Sequence, residues 1–249
     1  MPVITFDFHN TMANCDPWFK LEVRDLPWAV VAHLGCTATA RLTKPDLDAA
    51  YNALRRRVID SGDEIDALSA VVEILAEYDV VLERRVVIKA IDELMSAALT
   101  SLEPVAGIAE TVRYLHARGC RLGVISSAVH HQFVEWSIRK MDLGDAFSSI
   151  VTSASAGYYK SSPRIYQHSL RELNATPGQA THVGDSVRWD VGGAQQAGMN
   201  AIWLDTGRPE IRTSSLSRNV TPDLTITSME GAGPLIYAFA VEAERMPDD

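Results

Sequence analysis

The first regular pattern in the chain is the apolar run Val3-Ile4-Thr5-Phe6, which ends at Asp7. Its β-branched and aromatic residues favour a strand, and its continuous apolar character is typical of a strand buried on both faces. We therefore expect a short buried strand that places a carboxylate at its C-terminal end.

From about residue 18 to residue 99 the pattern is helical. Apolar positions recur every three or four residues, as in the series Leu47, Tyr51, Leu54 and Val58. Thr43 and Ser61 are each followed three residues later by an acid, the spacing of a capping box, in which a hydroxyl and a carboxylate satisfy the first amides of a helix. With a first helix near residues 18–34, this block predicts a unit of four helices.

After Pro104 short apolar runs alternate with amphipathic stretches. We expect strands at 121–126, 149–152, 181–184, 201–204 and 223–226, and helices near 107–118, 130–141 and 163–173. Repeated β–α alternation predicts a doubly wound α/β fold with a mostly parallel sheet and helices on both faces. The first strand must join that sheet across the helical block. The expected domains are thus a core of residues 1–15 and 101–249 and an inserted helical cap of residues 16–100.

Composition narrows the class of protein. The 249 residues are 47% hydrophobic and 22% charged, as in ordinary globular proteins. A net charge of −9, from 23 basic and 32 acidic residues, disfavours nucleic acid as a partner.

No apolar run approaches the roughly 20 residues of a membrane span, and no export signal is recognisable. The three cysteines show no C-x-x-C spacing and are expected as reduced thiols in a cytoplasmic protein. The oligomeric state stays open.

Polar residues follow several of the predicted strands, and in open α/β sheets ligands bind beyond the carboxyl ends of the strands. The strand and loop ends of interest carry Asp7, Ser126 with Ser127, Lys160, and Asp185 with Asp190. These acids, hydroxyls and the lysine are expected to converge on one rim of the sheet.

With these residues the chain resembles the haloacid dehalogenase superfamily of hydrolases. The family's motifs are D-x-D-x-T, a strand-end Ser or Thr, a Lys, and a Gly-Asp pair followed by another Asp. The matching residues, in the family's order, are Asp7 and Thr11, Ser126, Lys160, and Gly184 with Asp185 and Asp190. The helical block also resembles the family's α-helical cap in its usual insertion site.

The resemblance implies a phosphatase that acts on a small phosphorylated metabolite with Mg²⁺ as cofactor. Asp7 would be the nucleophile that forms an aspartyl-phosphate. Mg²⁺ would be held by the Asp7 carboxylate, the carbonyl of His9 and Asp185, since this hard ion prefers oxygen ligands.

The remaining motif residues are expected to neutralise charge, to bind the substrate and to orient other groups of the site. Lys160 would neutralise the nucleophile and the phosphoryl group. Thr11, Ser126 and Ser127 would bind the substrate, with Ser126 donating to phosphoryl oxygens. Asp190 would orient the surroundings of the metal or Lys160 rather than bind the metal directly.

His9 departs from the family pattern, which has a second Asp there to protonate the leaving group. Histidine suits proton transfer near neutrality, so His9 is a candidate acid and base. Alternatively, it only fills the position, and the chain is a dehalogenase, a phosphonatase or a weak phospho-ligand-binding protein. The retained Asp185 argues against the metal-free dehalogenases. No motif distinguishes Lys20 or Lys89 as the Schiff-base lysine of a phosphonatase cap.

Two smaller groups of residues leave alternatives open. Cys15, Asp16 and Trp18 lie where the chain enters the cap and are candidates for lining a substrate pocket. The pair His130-His131 is expected to cap a helix or face solvent rather than bind a metal, because no third ligand is near in sequence.

Overall fold

The computed structural model describes residues 1–36, 42–207 and 220–245, excluding the side chain of residue 245. Its eight strands in chain order are β1 (Val3–Phe6), β2 (Ala13–Asn14), β3 (Glu103–Pro104), β4 (Arg121–Ser126), β5 (Phe147–Thr152), β6 (Ala180–Gly184), β7 (Asn200–Leu204) and β8 (Leu224–Ile226). The predicted core strands are thus present, with ends that differ by two residues at most.

Six of these strands form one parallel sheet in the order β5-β4-β1-β6-β7-β8. From β1 the chain builds outward through β4 and β5, and then returns to build β6, β7 and β8 on the other side. The order therefore reverses at β1, which is where open α/β sheets leave a crevice for ligands. All four residues of β1 are buried, as its continuous apolar run predicts.

The helices in chain order are α1 (Asp16–Lys20), α2 (Leu26–His33), α3 (Lys44–Ser61), α4 (Ala67–Ala76), α5 (Arg84–Leu99), α6 (Ile108–Ala117), α7 (His131–Lys140), α8 (Ser153–Ala156), α9 (Arg164–Glu172), α10 (Gly192–Gln196) and α11 (Gly233–Arg245). Buried residues of α6, α7 and α11 join one apolar cluster with one face of the sheet, while those of α9 and α10 join a second cluster with the opposite face. The doubly wound α/β architecture is confirmed. None of the described helices is long and apolar enough to cross a membrane.

Helices α1–α5 lie between β2 and β3, which pair with each other in antiparallel fashion, Ala13 opposite Pro104. The chain thus leaves and rejoins the core through one narrow ribbon. Their buried side chains belong to the same apolar cluster as the neighbouring face of the sheet. We keep the name cap for residues 16–100; this division into domains stays a prediction.

The first predicted cap helix is one helical run with a π-helical turn at Leu21–Asp25 between α1 and α2. Pro27 has no N–H to donate to the carbonyl of Val23, so an unbroken α-helix cannot form there.

The Thr43 half of the predicted capping box is confirmed, since its hydroxyl accepts from the amide of Asp46. The Asp46 carboxylate accepts from that hydroxyl rather than from the amide of Thr43. The expected cap at Ser61 is wrong. Ser61 ends α3, Gly62 follows with a φ of 76°, and Asp66 caps α4 by accepting from the amide of Ser69.

Candidate active site

The parallel register brings the predicted site residues to one edge of the sheet. Phe6 pairs with both Val124 and Val183, and the amide of Asp7 donates to the carbonyl of Val183 at 2.9 Å. The segments that follow these strands therefore start side by side. They border a cavity of about 580 Å³ between the sheet edge and the cap.

The predicted residues that line this cavity are Asp7, His9, Ser126, Ser127, Lys160, Asp185 and Asp190. Thr11 does not belong to the lining: its side chain is completely buried, and its hydroxyl has no hydrogen-bond partner among the described residues. The assignment of Thr11 to substrate binding thus stays a prediction without a contact to the cavity.

Three buried carboxylates and one lysine form the centre of the site. Asp7, Asp185 and Asp190 each offer an oxygen within 4.8 Å of the others. The ammonium of Lys160 donates to Oδ1 of Asp7 and to Oδ1 of Asp190, at 2.6 Å in both cases. Because Lys160 is 3% exposed, its ammonium is largely shielded from water in both ion pairs.

The three acids of this cluster differ in the direction of their pKa shifts. Burial raises the pKa of Asp7 to about 6, against the lowering charge of Lys160. Burial raises the pKa of Asp185 to about 8, with Asp7 and Asp190 adding repulsion. Burial acts on Asp190 in the same direction, but Lys160 and the hydrogen bond from His182 hold its pKa below the ordinary value. Asp190 is therefore the ionised partner of Lys160, while negative charge on the other two is poorly compensated.

The donor set fits a hard divalent cation such as Mg²⁺. Three carboxylates face one ammonium, so a further positive charge would relieve their repulsion. Asp190 uses both oxygens, one on Lys160 and the other on the amide of Ser186 at 2.8 Å. Asp185 has no ion pair among the described residues. Asp7 and Asp185 are thus better placed than Asp190 to bind a metal.

Glycine at position 184 is required by the approach of Asp190. A Cβ atom on Gly184 would lie 2.3 Å from Cγ of Asp190. Asp190 lies in a π-helical turn, Val187–Val191, which Ser186 caps by accepting from the amide of Trp189 at 3.2 Å. In this π-helical turn the Asp190 carboxylate lies against Gly184 at the end of β6, within hydrogen-bond distance of Lys160.

His9 lies at the junction of the sheet edge and the cap. Its ring stacks on Phe19, with centroids 4.4 Å apart and planes 10° from parallel, and meets the edge of Trp18 at 5.4 Å. Both aromatic residues belong to α1. The ring therefore forms part of the cavity wall.

Asn10 takes the left-handed conformation, with a φ of 65°, which asparagine tolerates better than most residues. Its amide N–H donates to the carbonyl of Ala13 at 2.9 Å, which closes a tight turn after β1. Its side chain hydrogen-bonds the carboxylate of Asp185 and lowers the pKa of that acid. Asn10 thus has a positioning contact at the site that the sequence did not reveal.

Of the entry residues to the cap, Trp18 lines the cavity, whereas Cys15 and Asp16 do not. His130 caps α7 by accepting from the amide of Phe133 at 3.1 Å, and its other ring nitrogen lies 2.9 Å from Oδ1 of Asp92. The expectation that His130 is a capping residue is confirmed.

Sequence reasoning missed several polar and aromatic residues of the lining, namely Glu22, Asn52, Arg55, Arg56, Tyr159, Arg188 and Trp189. A signal was present for those on α3. Asn52, Arg55, Arg56 and Ile59 recur at helical spacing, so they share one face of that helix. What the sequence lacks is a sign that this face points toward the sheet edge.

Comparison with known proteins decides the family. The model of the haloacid dehalogenase-like hydrolases matches residues 1–198, which include every candidate site residue. The chain belongs to this family of hydrolases. In the solved structure of a 2-haloacid dehalogenase from Pseudomonas syringae, the likeness covers 96% of this chain and 99% of that one, with a TM-score of 0.67. At 19% sequence identity, this likeness shows a shared fold only.

Among curated relatives, the glyceraldehyde 3-phosphate phosphatase of Pyrococcus furiosus is 26% identical over 211 residues, which cover 83% of this chain and 81% of the relative. The phosphoserine phosphatase of Thermus thermophilus is 35% identical over 102 residues, 41% of this chain and 36% of the relative. The chain thus spans most of the first relative's length and about a third of the second's.

Proposed function

We propose that this hydrolase is a Mg²⁺-dependent phosphatase of a small phosphorylated metabolite, with Asp7 as nucleophile. The observation that carries the proposal is the buried cluster in which Lys160 bridges Asp7 and Asp190 while Asp185 lies beside them without an ion pair among the described residues. Relatives named as phosphatases support the choice of phosphate esters.

In the first step the carboxylate of Asp7 attacks phosphorus, and the bond from phosphorus to the leaving oxygen breaks. Lys160 keeps the Asp7 carboxylate oriented and offsets part of the charge of the approaching anion. Ser126, at the end of β4, can donate to a phosphoryl oxygen. Mg²⁺, when held by Asp7 and Asp185, would supply positive charge that offsets the negative charge of the three acids.

His9 then gives a proton to the leaving oxygen and takes one from the water that cleaves the aspartyl-phosphate. This second step releases phosphate and restores Asp7. The position of the ring supports the role, because it lies on the cavity wall two residues after Asp7, in contact with Phe19 and Trp18. The stacked rings also limit access of water on that side.

The alternatives left open by the sequence receive less support. Among the described residues, Lys160 is the one lysine that lines the cavity. Neither Lys20 nor Lys89 does so. A Schiff-base lysine in the cap, as in a phosphonatase, is therefore not in place. Asp185, buried beside the nucleophile, favours a metal-dependent reaction over a metal-free dehalogenase.

The test is phosphate release from a panel of phosphomonoesters, with and without Mg²⁺, for the wild type, Asp7→Asn and Asp16→Asn. Asp16→Asn is the matched control, since Asp16 is an acid outside the cavity lining. We expect Mg²⁺-dependent release that Asp7→Asn abolishes and Asp16→Asn retains. Ligand-induced thermal stabilisation without release would instead identify a phospho-ligand-binding protein.

The role of His9 is tested by the leaving group. An ester of nitrophenol needs no proton on its leaving oxygen, whereas an alkyl ester does. His9→Gln should therefore lower kcat/KM, which covers the steps up to departure of the leaving group, about 100-fold for alkyl esters and much less for the nitrophenyl ester. His9→Asp should restore the alkyl activity. Equal losses on both esters would show that His9 only fills its position.

A further inference from the structure

Three consecutive arginines on α3 have different electrostatic partners. Arg55 makes a two-pronged ion pair with the carboxylate of Glu64, and Arg57 pairs with Glu73. Arg56, between them, has no ion pair or hydrogen bond among the described residues, yet it lines the cavity. The charges of Arg55 and Arg57 are thus balanced within the protein, and the charge of Arg56 is not.

A second arginine, which has no carboxylate partner in the part of the chain that the structure describes, lines the cavity from the core. Arg188 lies in the π-helical turn after Asp185, with its guanidinium 3.8 Å from the centroid of the Trp189 ring. This ring holds the side chain in place without neutralising it. Trp189 in turn meets Tyr159 edge-on at 5.8 Å. Arg188 is thus a partly buried cation on a fixed aromatic support.

These two charges are not used by the catalytic cluster. The Lys160 ammonium, bonded to two carboxylates, already serves Asp7 and Asp190. The remaining carboxylate of the lining is Glu22 on the cap, 4% exposed, which accepts from the amide of Val129 at 2.9 Å. Burial raises the pKa of Glu22 to about 8, so it carries little negative charge at neutral pH. With a divalent cation on Asp7 and Asp185, Arg56 and Arg188 would remain as two cations of the lining without a carboxylate partner among the described residues.

From this arrangement we infer that Arg56 and Arg188 bind a second anionic group of the substrate, so that the phosphatase acts on phosphate esters that also carry a carboxylate or another phosphate. The inference rests on the proposed function and deepens it. A cavity of about 580 Å³ holds a phosphoryl group together with an anion-bearing leaving group. Guanidinium groups bind both carboxylates and phosphates through paired, charge-assisted hydrogen bonds.

The experiment compares esters that differ in this group alone, with Mg²⁺ present. One pair is 3-phosphoglycerate against glycerol 3-phosphate, and the other is ribulose 1,5-bisphosphate against ribulose 5-phosphate. We expect kcat/KM to favour the more anionic member of at least one pair by about tenfold or more, the worth of a charge-assisted hydrogen bond. A preference in the first pair alone identifies a carboxylate, and in the second pair alone a phosphate.

Substitutions assign the preference to its residues. Arg56→Gln and Arg188→Gln should each lower the ratio of kcat/KM within the preferred pair about tenfold, mainly through KM. Arg56→Lys should restore part of the ratio, because it keeps the charge and loses the fork of donors. Arg57→Gln is the matched control: it removes the neighbouring arginine, which lies outside the cavity lining, and should leave the ratio unchanged.

The outcomes separate this inference from the proposed function. Phosphate release without preference in either pair overturns the inference and leaves the phosphatase in place. A preference that Arg57→Gln reduces as much as Arg56→Gln overturns it too, since the effect is then one of general charge. Absence of Mg²⁺-dependent release from any ester overturns both. Circular dichroism and thermal unfolding establish that each variant is folded before its kinetics are compared.

Discussion

The ammonium of Lys160 lies 2.6 Å from Oδ1 of Asp7, although 153 residues separate the two in the chain. Both side chains are buried, and the same ammonium also holds Asp190. This contact joins the end of β1 to the loop before α9, which follows the cap in the chain. Asp7, the proposed nucleophile, is therefore oriented by a residue that lies far from it in the chain.

Lys160→Met is expected to reduce both stability and activity. It removes the cation that pairs with Asp7 and Asp190 in a buried cluster, and breaking buried ion pairs in this way costs about 3–5 kcal/mol. Urea unfolding without Mg²⁺ measures this loss, and phosphate release should fall to that of Asp7→Asn. The exposed Lys89→Met serves as control. Unchanged unfolding of Lys160→Met would contradict the buried ion pairs.

Asp185→Asn is expected to abolish stabilisation by Mg²⁺. Asp185 lies in the carboxylate cluster without an ion pair among the described residues, so its oxygens are available as ligands to the metal. The wild type and the control Asp16→Asn should show a midpoint of unfolding that rises with Mg²⁺ concentration, as mass action requires. Asp185→Asn should show little rise. An equal rise in all three proteins would place the metal elsewhere.

Gly184→Ala is expected to displace Asp190 from Lys160. The added Cβ would lie 2.3 Å from Cγ of Asp190, and neither the end of β6 nor the following π-helical turn can move away cheaply. A loss of stability of about 1–3 kcal/mol is the ordinary cost of such overpacking. Gly144→Ala is the matched control, since its Cβ would meet Arg139 Cγ at an ordinary 3.7 Å. Equal stability of the two variants would contradict the close approach of Asp190.

The sequence predicts the core half of the site better than the cap half. Asp7 and Asp185 follow strands, and the carboxyl ends of parallel strands meet at one edge, so periodicity alone brings them together. The ion pair of Lys160 with Asp190 depends on a loop and a π-helical turn whose paths the pattern of apolar residues does not fix. Glu22 and Arg56 lie on two helical segments that the sequence predicts, but the apolar pattern does not show that these two side chains face the sheet edge.

Glu22→Gln is expected to remove a pH dependence of folding. Burial raises the pKa of Glu22 from its ordinary value of 4.5 to about 8, so the folded protein holds this proton where the unfolded chain releases it. Below about pH 4.5 both states are protonated, and between that pH and about 8 the stability of the wild type falls as pH rises. The stability contributed by the proton is thus fully present in acid and lost by about pH 8.

Glutamine keeps an oxygen for the amide of Val129 and never ionises. The variant should therefore gain stability over the wild type by on the order of 4 kcal/mol between about pH 5 and pH 8, at 1.36 kcal/mol for each pKa unit. Urea unfolding across this range measures the difference, with the exposed Glu77→Gln as control. If the difference between Glu22→Gln and the wild type does not change with pH, Glu22 does not hold its proton in the folded protein.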